Sequence, residues 1–561
     1  MNNQPMNVVF YWHMHQPEYR DMSTGEYVLP WTYLHVIKDY VDMVAHLEDN
    51  PNARAVVNFA PVLLDQIEDY AQQIKGFLSR GTPLRDPLLS ALAAHEIPVT
   101  DEDRLALVTA CLRTNRHRSI ERYQPYHKIA EMADWLIQHP QFLSYADPQF
   151  FADLLVWYHL AWMGETVKLS NLPIKRLLHR ESVYLPEERL ELFTVIGELL
   201  DGVLGRYKKL AKDGQIELSM TPYAHPIMPL LLDINSAKET MPDAPLPEFT
   251  HYPGGEERVR WHIEKGFETF QRVFGCRPIG CWPSEGAVCD QTLKILDQSG
   301  FRWTASGQNV LNNSLSAADL HIEHKHRPYQ LNDTQLQCFF RDDGLSDLIG
   351  FKYSTWHGDD AVGDLVNHLE AIANEQHHQG VIAIIMDGEN AWEHYPHNGF
   401  HFLNGLYKTL SDHSSLRLST FSECLNQPDT VKTIPHVVTG SWVYGTLSTW
   451  IGDTDKNRAW DMLDEAKSCY DRVIASGALS KTQCEQVDLQ LAICEGSDWF
   501  WWFGEYNSAE SVSDFEKLYR ANLENLYQLL GVEPPAYLHE SFTFGGGDPE
   551  HGGAMRTGDE H

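Results

Sequence analysis

The strongest constraint on the fold is a repeated pattern, in which a short apolar run ends in a polar cluster and a helical pattern follows. Residues 380–386 are almost wholly apolar, and Asp387, Gly388, Glu389 and Asn390 come directly after them. Residues 6–12 repeat this arrangement and end in His13, Met14 and His15. Strands that are apolar on both faces are typical of buried parallel sheets, and their alternation with helices indicates an α/β sheet or barrel.

The same reasoning divides the chain of 561 residues into two or three units. A barrel is predicted over residues 1–400, and a helical insertion interrupts it at about residues 76–210. A helical domain is predicted over residues 401–543, and the tail 544–561, rich in Gly, Asp and His, is expected to be disordered. Further strands are predicted at residues 53–59, 214–220, 278–282, 301–305 and 335–340.

Charge and cysteine content limit the possible binding partners and the cellular location. A formal net charge of −34 argues against nucleic acid and anionic lipid surfaces, whereas a neutral substrate is unaffected. The N-terminal residues lack a secretory signal pattern, and no run of 18 apolar residues predicts a membrane span. Nine cysteines without paired spacing are typical of reduced thiols, so a cytoplasmic protein is expected.

A carboxylate in a turn is the first candidate for chemistry. Glu285 lies between Pro283 and Gly286 and follows Trp282, where a strand is predicted to give way to a helix. In barrel enzymes the loops after the strands carry the reactive groups. An indole beside a carboxylate suits a sugar ring, because the ring packs on the aromatic face while the carboxylate reaches the anomeric carbon. The alternative is a Glu that only caps a helix N-terminus.

The polar cluster after the first strand has three interpretations. His13 and His15 are two residues apart, so they share one side of an extended chain. They could hold a metal ion, or they could hydrogen-bond substrate hydroxyls together with Gln16. One of them could instead be a buried structural histidine.

Three more clusters follow predicted strands. Glu217 lies within an apolar strand, so it is either paired and buried or directed into a site, and His225 follows in the next loop. Arg341, Asp342, Asp343 and Asp347 come after residues 335–340, where an Arg keeps one Asp ionised while crowding raises the pKa of a neighbour. A solvated Asp-Gly turn is the alternative there. Asp387, Glu389 and Trp392 follow the most apolar strand, which makes them strong candidates for a site.

Five of these stretches stand in a familiar order. They are His13-Met14-His15-Gln16-Pro17, Gly214-Gln215-Ile216-Glu217-Leu218, Trp282-Pro283-Ser284-Glu285-Gly286, the stretch 340–347 and the stretch 387–393. Together they resemble the sequence regions of glycoside hydrolase family 57, and the amylopullulanase-like and α-amylase-like members are the most similar. The resemblance implies an incomplete (β/α)7 barrel with a helical C-terminal domain. It also implies retaining cleavage or transfer at α-glucosidic bonds without a metal or other cofactor.

The resemblance also implies roles for single residues. Glu285 corresponds to the nucleophile, and the acid/base is expected at Asp342, with Asp347 as the rival and Asp343 as a third choice. A retaining mechanism needs these two carboxyl groups roughly 5–5.5 Å apart. The other candidates are expected to line the substrate subsites: His13, His15, Gln16, Glu217, His225, Trp282, Arg341, Asp387, Glu389 and Trp392.

The expected function is hydrolysis of α-glucans or maltooligosaccharides, as in α-amylases and amylopullulanases, at α-1,4 bonds, with α-1,6 bonds left open. A 4-α-glucanotransferase on the same scaffold is the first alternative. A metal-dependent polysaccharide deacetylase or α-mannosidase, with His13, His15 and an Asp on Zn²⁺, is the second. A non-catalytic glucan-binding protein is the third. The sequence does not predict the oligomeric state.

Overall fold

A computed structural model describes residues 4–97, 100–320, 325–425 and 431–547. This part of the chain contains ten strands: β1 (Met6–Met14), β2 (Ala55–Phe59), β3 (Ile216–Met220), β4 (Gly280–Cys281), β5 (Trp303–Ser306), β6 (Tyr329–Leu331), β7 (Gln337–Phe340), β8 (Val381–Asp387), β9 (Leu416–Leu418) and β10 (Lys432–Ile434). The seven predicted strands are all present. β4 is shorter than predicted, because the chain turns at Pro283.

Seven parallel strands form a curled sheet in the order β7-β5-β4-β3-β2-β1-β8. Its two edges meet where a parallel bridge joins Arg341, directly after β7, to Ala383 within β8. Three short strands add to this sheet. β6 pairs antiparallel with β7, and β10 pairs parallel with β6. β9 pairs parallel with the first residues of β1. The predicted α/β fold, an incomplete (β/α)7 barrel, is confirmed.

The barrel has a packed interior that is separate from the outer core. Alternate residues of the strands point inward, and they form one cluster: Val9, Tyr11, Val56, Trp303, Ala305, Phe339, Val381, Ala383 and Ile385, together with Trp282. Phe421 and Cys424 join this cluster from a short helix that follows β9, so they fill the end at which the strands begin. The opposite end, where the strands finish, is therefore left to the polar clusters.

Helices cover the outside of the barrel and form the long segment between β2 and β3. Twenty-two α-helices lie in the described residues: α1 (Trp31–His35), α2 (Val41–Asp49), α3 (Pro61–Arg80), α4 (Pro87–Ala93), α5 (Asp101–Ala110), α6 (Gln124–Gln138), α7 (Pro148–Trp162), α8 (Glu165–Ser170), α9 (Leu172–Arg180), α10 (Pro186–Lys212), α11 (Met228–Leu232), α12 (Gly255–Val273), α13 (Asp290–Gln298), α14 (Gln308–Ala317), α15 (Asp343–Asp347), α16 (Gly358–Glu375), α17 (Phe400–Ser411), α18 (Phe421–Cys424), α19 (Thr454–Ser476), α20 (Lys481–Cys494), α21 (Ser497–Trp502) and α22 (Ala509–Leu529). In the described residues, α3 to α10 are the only α-helices between β2 and β3, and no strand separates them.

The C-terminal helices pack against the barrel. Glu495, just after α20, is fully buried and forms an ion pair with Arg258 of α12 at 2.9 Å. β9 and β10 come after residue 400 and still belong to the barrel sheet, so the division into domains at residue 400 stays a prediction. From residue 548 the tail predicted to be disordered lies outside the described residues. None of the described helices is both long enough and apolar enough to cross a membrane.

Candidate active site

Glu285 sits at the end of the barrel where the strands finish, in a single 3₁₀ turn formed by Ser284–Gly286. Its backbone has φ 58° and ψ 21°, in the left-handed region that a non-glycine residue seldom adopts. Gly286 follows with φ +60°, and a Cβ there would lie 2.9 Å from the Trp282 ring, so only glycine fits. Strained backbone of this kind is concentrated at functional sites.

Two side chains lie next to the Glu285 carboxylate, and one of them donates a hydrogen bond to it. The Trp442 indole N–H donates to Glu285 Oε2 over 2.9 Å, and His225 Nδ1 lies 3.8 Å from Oε1. Only 13% of the Glu285 side chain is exposed. The buried Trp282 ring packs between Tyr11 and Trp442, with centroid distances of 5.7 and 5.1 Å.

Three histidines form one wall of the site. His13 points into the barrel by strand alternation, and its Nε2 lies 3.1 Å from Nε2 of His225. The rings of His15 and His225 stack with centroids 3.8 Å apart. Burial, reinforced by the charge of His15, lowers the pKa of His13 to about 3. Burial also lowers the pKa of His225, so His13 and His225 are neutral at neutral pH.

Two residues of the C-terminal part reach this wall and were not predicted. His225 Nδ1 contacts Ser497 Oγ at 2.8 Å, and His15 Nε2 contacts the two carboxylate oxygens of Asp498 at 2.9 and 3.0 Å. The sequence signal was the aromatic stretch 498–504, which predicts a packed interface but does not single out Asp498 at its start or the preceding Ser497.

Asp387 ends β8 on the interior face of the barrel. Val381, Ala383 and Ile385 point inward along β8, so Asp387 continues the same face, beside its register partner His13 on β1. The residue is half-buried, and its carboxyl group accepts a hydrogen bond from the Asn390 side chain at 2.8 Å. Burial raises the pKa of Asp387 to about 6.

Three other predicted site residues near Asp387, which are Gln16, Glu389 and Trp392, are buried. Glu389 is buried, and burial together with the charge of Asp387 raises its pKa well above the ordinary value. Gln16 donates to Glu389 at 3.2 Å and accepts from Tyr19, so both ends of its amide are engaged within the protein. Trp392 packs against Trp12 on the outer side of the sheet, and its indole N–H donates to the Gly388 carbonyl.

Alternation along β7 sends the two residues after it to opposite sides. Phe339 belongs to the barrel interior and Phe340 to the outer core, so Arg341 points inward and Asp342 outward. Asp342 receives a hydrogen bond from the backbone N–H of Leu345 and contacts the ring of His326 at 2.9 Å. Burial would raise the pKa of Asp342, but the hydrogen bond with His326 and the charge of Lys325 outweigh it and hold this pKa at about 2.

The Arg341 guanidinium forms ion pairs with the other two aspartates of this stretch. It donates to Asp343 at 2.7 Å and to Asp347 at 2.6 Å, and its central carbon lies 5.7 Å from the centre of the Trp442 ring. Burial, partly offset by Arg341, raises the pKa of Asp343 to about 6. This ion-pair cluster therefore adjoins the indole that holds Glu285.

Glu217 is not brought to the site. It lies near the start of β3, at the opposite end of the barrel, and its carboxylate accepts from the indole of Trp303 at 2.7 Å and from the backbone N–H of Ser422 at 3.0 Å. Of the two sequence interpretations, the structure shows the paired one, with Glu217 half-buried. Glu217 joins α18 to the barrel interior.

Comparison with known proteins identifies relatives. Residues 9–436 match the family model described as glycosyl hydrolase family 57. The α-amylase AmyC from Thermotoga maritima is 14% identical with a TM-score of 0.57, and the match covers 94% of this chain and 93% of that one. A branching enzyme of the same family type from Pyrococcus horikoshii is 14% identical with a TM-score of 0.56, covering 93% and 89%. A 4-α-glucanotransferase from Thermococcus litoralis is 12% identical with a TM-score of 0.51, covering 95% and 61%. No curated protein matches the sequence significantly.

Proposed function

Because this chain belongs to glycosyl hydrolase family 57, we propose that it is a retaining enzyme that cleaves α-glucosidic bonds in α-glucans and maltooligosaccharides. Glu285 is the nucleophile in this proposal, as the sequence resemblance implies. The acid/base is Asp387, which differs from the sequence expectation of Asp342 or Asp347.

The observation that carries the proposal is the arrangement of two carboxyl groups around the histidine wall. Asp387 is the register neighbour of His13, His13 contacts His225, and His225 lies 3.8 Å from Glu285. The two acids thus flank the same wall at the end where the barrel strands finish. Retaining glycosidases need such a pair on either side of the scissile bond.

The choice of Asp387 follows from proton affinity and direction. A general acid must hold its proton near the working pH, and the pKa of about 6 at Asp387 meets this requirement. Asp342 points away from the barrel interior, and its pKa of about 2 leaves it ionised. Asp347 has an oxygen 2.6 Å from the Arg341 guanidinium, which engages it in an ion pair.

In the first step, Asp387 gives its proton to the glycosidic oxygen while the bond from that oxygen to the anomeric carbon breaks. A Glu285 oxygen forms a bond to the same carbon, which yields a β-glucosyl ester. In the second step, the Asp387 carboxylate takes a proton from water, whose oxygen attacks the anomeric carbon and releases Glu285. Two inversions restore the α configuration, and Asp387 is protonated again.

The neutral imidazoles of His13 and His225 form a wall of the site that carries no charge. Their ring nitrogens contact Asn58, Ser497 and each other, so these contacts fix the orientation of both rings. The indole of Trp442 is partly exposed and supplies flat apolar surface near Glu285, and it packs on the fully buried ring of Trp282. We assign these four residues to the shape and packing of the subsite for the glucosyl unit that is cleaved.

Product analysis tests the proposal and its alternative. The enzyme is incubated with maltoheptaose and, separately, with pullulan, and the products are separated by chromatography. Shorter products alone indicate hydrolysis, of the α-amylase type on maltoheptaose and of the amylopullulanase type if pullulan is also cut. Longer products from maltoheptaose indicate the alternative, a 4-α-glucanotransferase. No change in chain length from either substrate would overturn the proposal.

The Glu285→Gln variant tests the nucleophile directly. Turnover is expected to disappear, while maltoheptaose binding measured by calorimetry survives, because the amide keeps the size of the side chain. Activity near that of the unmodified enzyme would refute the assignment of Glu285.

We also propose a cytoplasmic location and a division into a barrel of residues 1–400 and a helical domain of residues 401–543. The location rests on the cysteines, since all nine are unpaired in the described residues. The division rests on the helical content that follows β10. Limited proteolysis near residue 400 tests the division, because a domain boundary there predicts two stable fragments.

A further inference from the structure

The helical segment between β2 and β3 presents a group of aromatic rings to solvent. Trp135 lies in the last turn of α6, and Phe142 and Tyr145 follow in the 3₁₀ helix Pro140–Tyr145. Their exposed fractions are 46%, 42% and 86%, although Trp and Phe bury most of their surface in a typical protein. Neighbouring exposed aromatic rings of this kind mark a place where another molecule binds.

These rings are held in place by one another, and together with His139 we call them the aromatic platform (Trp135, His139, Phe142 and Tyr145). The His139 ring stacks on the Trp135 indole with centroids 4.4 Å apart, and the Phe142 centroid lies 5.2 Å from that of Trp135. His139 Nδ1 donates to the Trp135 carbonyl oxygen at 2.9 Å, which fixes its ring against the indole. Side chains three residues apart eclipse in a 3₁₀ helix, so Tyr145 lies on the same side as Phe142. The platform is therefore ordered before a ligand arrives, which lowers the entropic cost of binding.

The segment that carries the platform is free of acidic and basic side chains. No Asp, Glu, Lys or Arg occurs from Trp135 to Ala146, in a chain in which 22% of the residues are charged. The exposed side chains between the rings carry amides and a hydroxyl group instead, at Gln138, Gln141 and Ser144. These groups offer neutral hydrogen-bond donors and acceptors. The segment has no Lys or Arg for a phosphate or an acidic lipid, so its chemistry suits an uncharged ligand with many hydroxyl groups.

We propose that the aromatic platform is a surface binding site for an α-glucan chain, separate from the active site. A glucosyl ring has flat faces of C–H groups and a rim of hydroxyl groups. The exposed rings match the faces, and the amides and the serine hydroxyl match the rim. The formal net charge of −34 does not repel such a neutral polymer. The identity of the polymer rests on the proposed function, because an α-glucan is the substrate proposed for the active site.

Helix α6 joins the platform to the surroundings of the active site. Just before α6, Arg118 donates to the His394 carbonyl oxygen at 2.9 Å, in the segment that follows β8 and its Asp387. Trp135 lies about 16 Å along the helix axis from Gln124, the first residue of α6. A long glucan can therefore be held at the platform while another part of it enters the active site. Such double binding raises the effective concentration of the polymer at the active site.

Affinity electrophoresis tests the platform as a binding site. Every protein carries Glu285→Gln, so that the polymer is not cut, and it migrates in native gels with and without amylopectin. Amylopectin is expected to retard the Glu285→Gln protein. Adding Trp135→Ala should weaken this binding by about tenfold, the usual effect of truncating an aromatic anchor, and the retardation that remains is due to the active site.

Two further variants separate loss of the site from loss of the fold. Tyr145→Ala removes the most exposed ring and should also weaken binding to amylopectin, with no change in thermal unfolding. Phe249→Ala is the matched control, because Phe249 is 37% exposed and no other ring in the described residues packs against it. It should be retarded as strongly as the Glu285→Gln protein.

Kinetics of the active enzyme give a second readout. Trp135→Ala should raise KM for amylopectin several-fold and leave kcat and KM for maltoheptaose unchanged, because the short chain gains little from a second contact. An equal rise of KM for both substrates would overturn the proposal, since the platform would then act on the active site itself.

The proposal is also overturned if amylopectin does not retard the Glu285→Gln protein, or retards it equally when Trp135→Ala is added. A dimer in size-exclusion chromatography that Trp135→Ala converts to a monomer would overturn it too, because a second copy of the chain would then cover the platform. Binding and catalysis fail separately. An inactive enzyme whose retardation depends on Trp135 refutes the proposed function and keeps the site, whereas an active enzyme without retardation does the reverse.

Discussion

Trp442 holds Glu285 through both its side chain and its backbone. The indole N–H donates to Glu285 Oε2 at 2.9 Å, and the backbone N–H donates to the Glu285 carbonyl oxygen at 3.0 Å. These contacts span 157 residues, so a distant segment of the chain fixes the orientation of the proposed nucleophile. The left-handed backbone of Glu285 is stabilised by the same two bonds.

Trp442→Phe is expected to lower kcat by about 10–100-fold and to change KM much less. The phenyl ring keeps the apolar surface against Trp282 but cannot donate to the carboxylate. A hydrogen bond to a charged group contributes about 1.5–3 kcal/mol, which corresponds to a change in rate of this size. Steady-state kinetics on maltoheptaose measure both constants.

Trp303→Phe is the matched control for this prediction. The Trp303 indole also donates to a carboxylate, that of the half-buried Glu217, but at the opposite end of the barrel. It should reduce thermal stability and leave kcat nearly unchanged. Equal losses of kcat in the two variants would mean that Trp442 acts only through the stability of the fold.

Asp387→Asn should reduce activity on maltoheptaose by about 10²–10⁴-fold, the usual contribution of a general acid. The loss should be much smaller for formation of the glucosyl-enzyme from α-glucosyl fluoride, because fluoride leaves without a proton. The rates of both reactions are compared in the same preparation.

Asp342→Asn and Asp347→Asn complete this test, since both aspartates were the acids expected from the sequence. Asn can still accept the hydrogen bond from Leu345, so Asp342→Asn should fold and remain within a few-fold of full activity. If either variant lost as much activity as Asp387→Asn, the acid/base role would belong to that aspartate and not to Asp387.

The pH profile of kcat/KM should fall above about pH 6. The pKa of Asp387 is raised by burial to about 6, so its protonated fraction decreases tenfold per pH unit above that value. Asn390 donates to the ionised carboxylate, so Asn390→Ala should raise this pKa and move the fall to higher pH. A fall that stays in place or moves to lower pH would contradict the role of Asp387.

Strand positions and the barrel were predictable because their signal is local. A run such as residues 380–386 is apolar on both faces, and only a buried parallel strand satisfies it. The polar residues at strand ends follow from the same pattern, since all parallel strands finish at one end of the barrel. His13, Glu285 and Asp387 were found in this way.

The direction of a side chain one residue past a strand was harder to predict. Arg341 and Asp342 are adjacent in sequence, yet alternation turns one into the barrel and the other toward His326. The choice depends on where β7 ends, and β7 ends at Phe340 as predicted. The direction of Asp342 also depends on which strand face lines the barrel, and an apolar run does not distinguish its two faces. Ser497 and Asp498 depend on long-range packing, for which no local pattern exists.

The C-terminal helices are attached to the barrel by a buried charge cluster. Glu495 accepts from Arg258 at 2.9 Å and from Tyr252 at 2.7 Å, and His262 contacts it at 2.8 Å. Burial would raise the pKa of Glu495, but the charge of Arg258 and the hydrogen bond with His262 outweigh it and hold this pKa at about 2. The folded state therefore favours the ionised carboxylate.

Glu495→Gln should lower the free energy of unfolding by about 3–5 kcal/mol at pH 7, because it leaves Arg258 buried without its counter-charge. The pKa of Glu495 is lower when folded than the ordinary 4.5, so its contribution is full above that pH and is lost as the pH falls toward 2. Urea unfolding at pH 7 and at pH 4 should show a smaller difference between variant and unmodified protein at pH 4. Glu485→Gln removes an exposed partner of Lys481 and should cost less than about 1 kcal/mol at both. A difference that grows on acidification would refute the account.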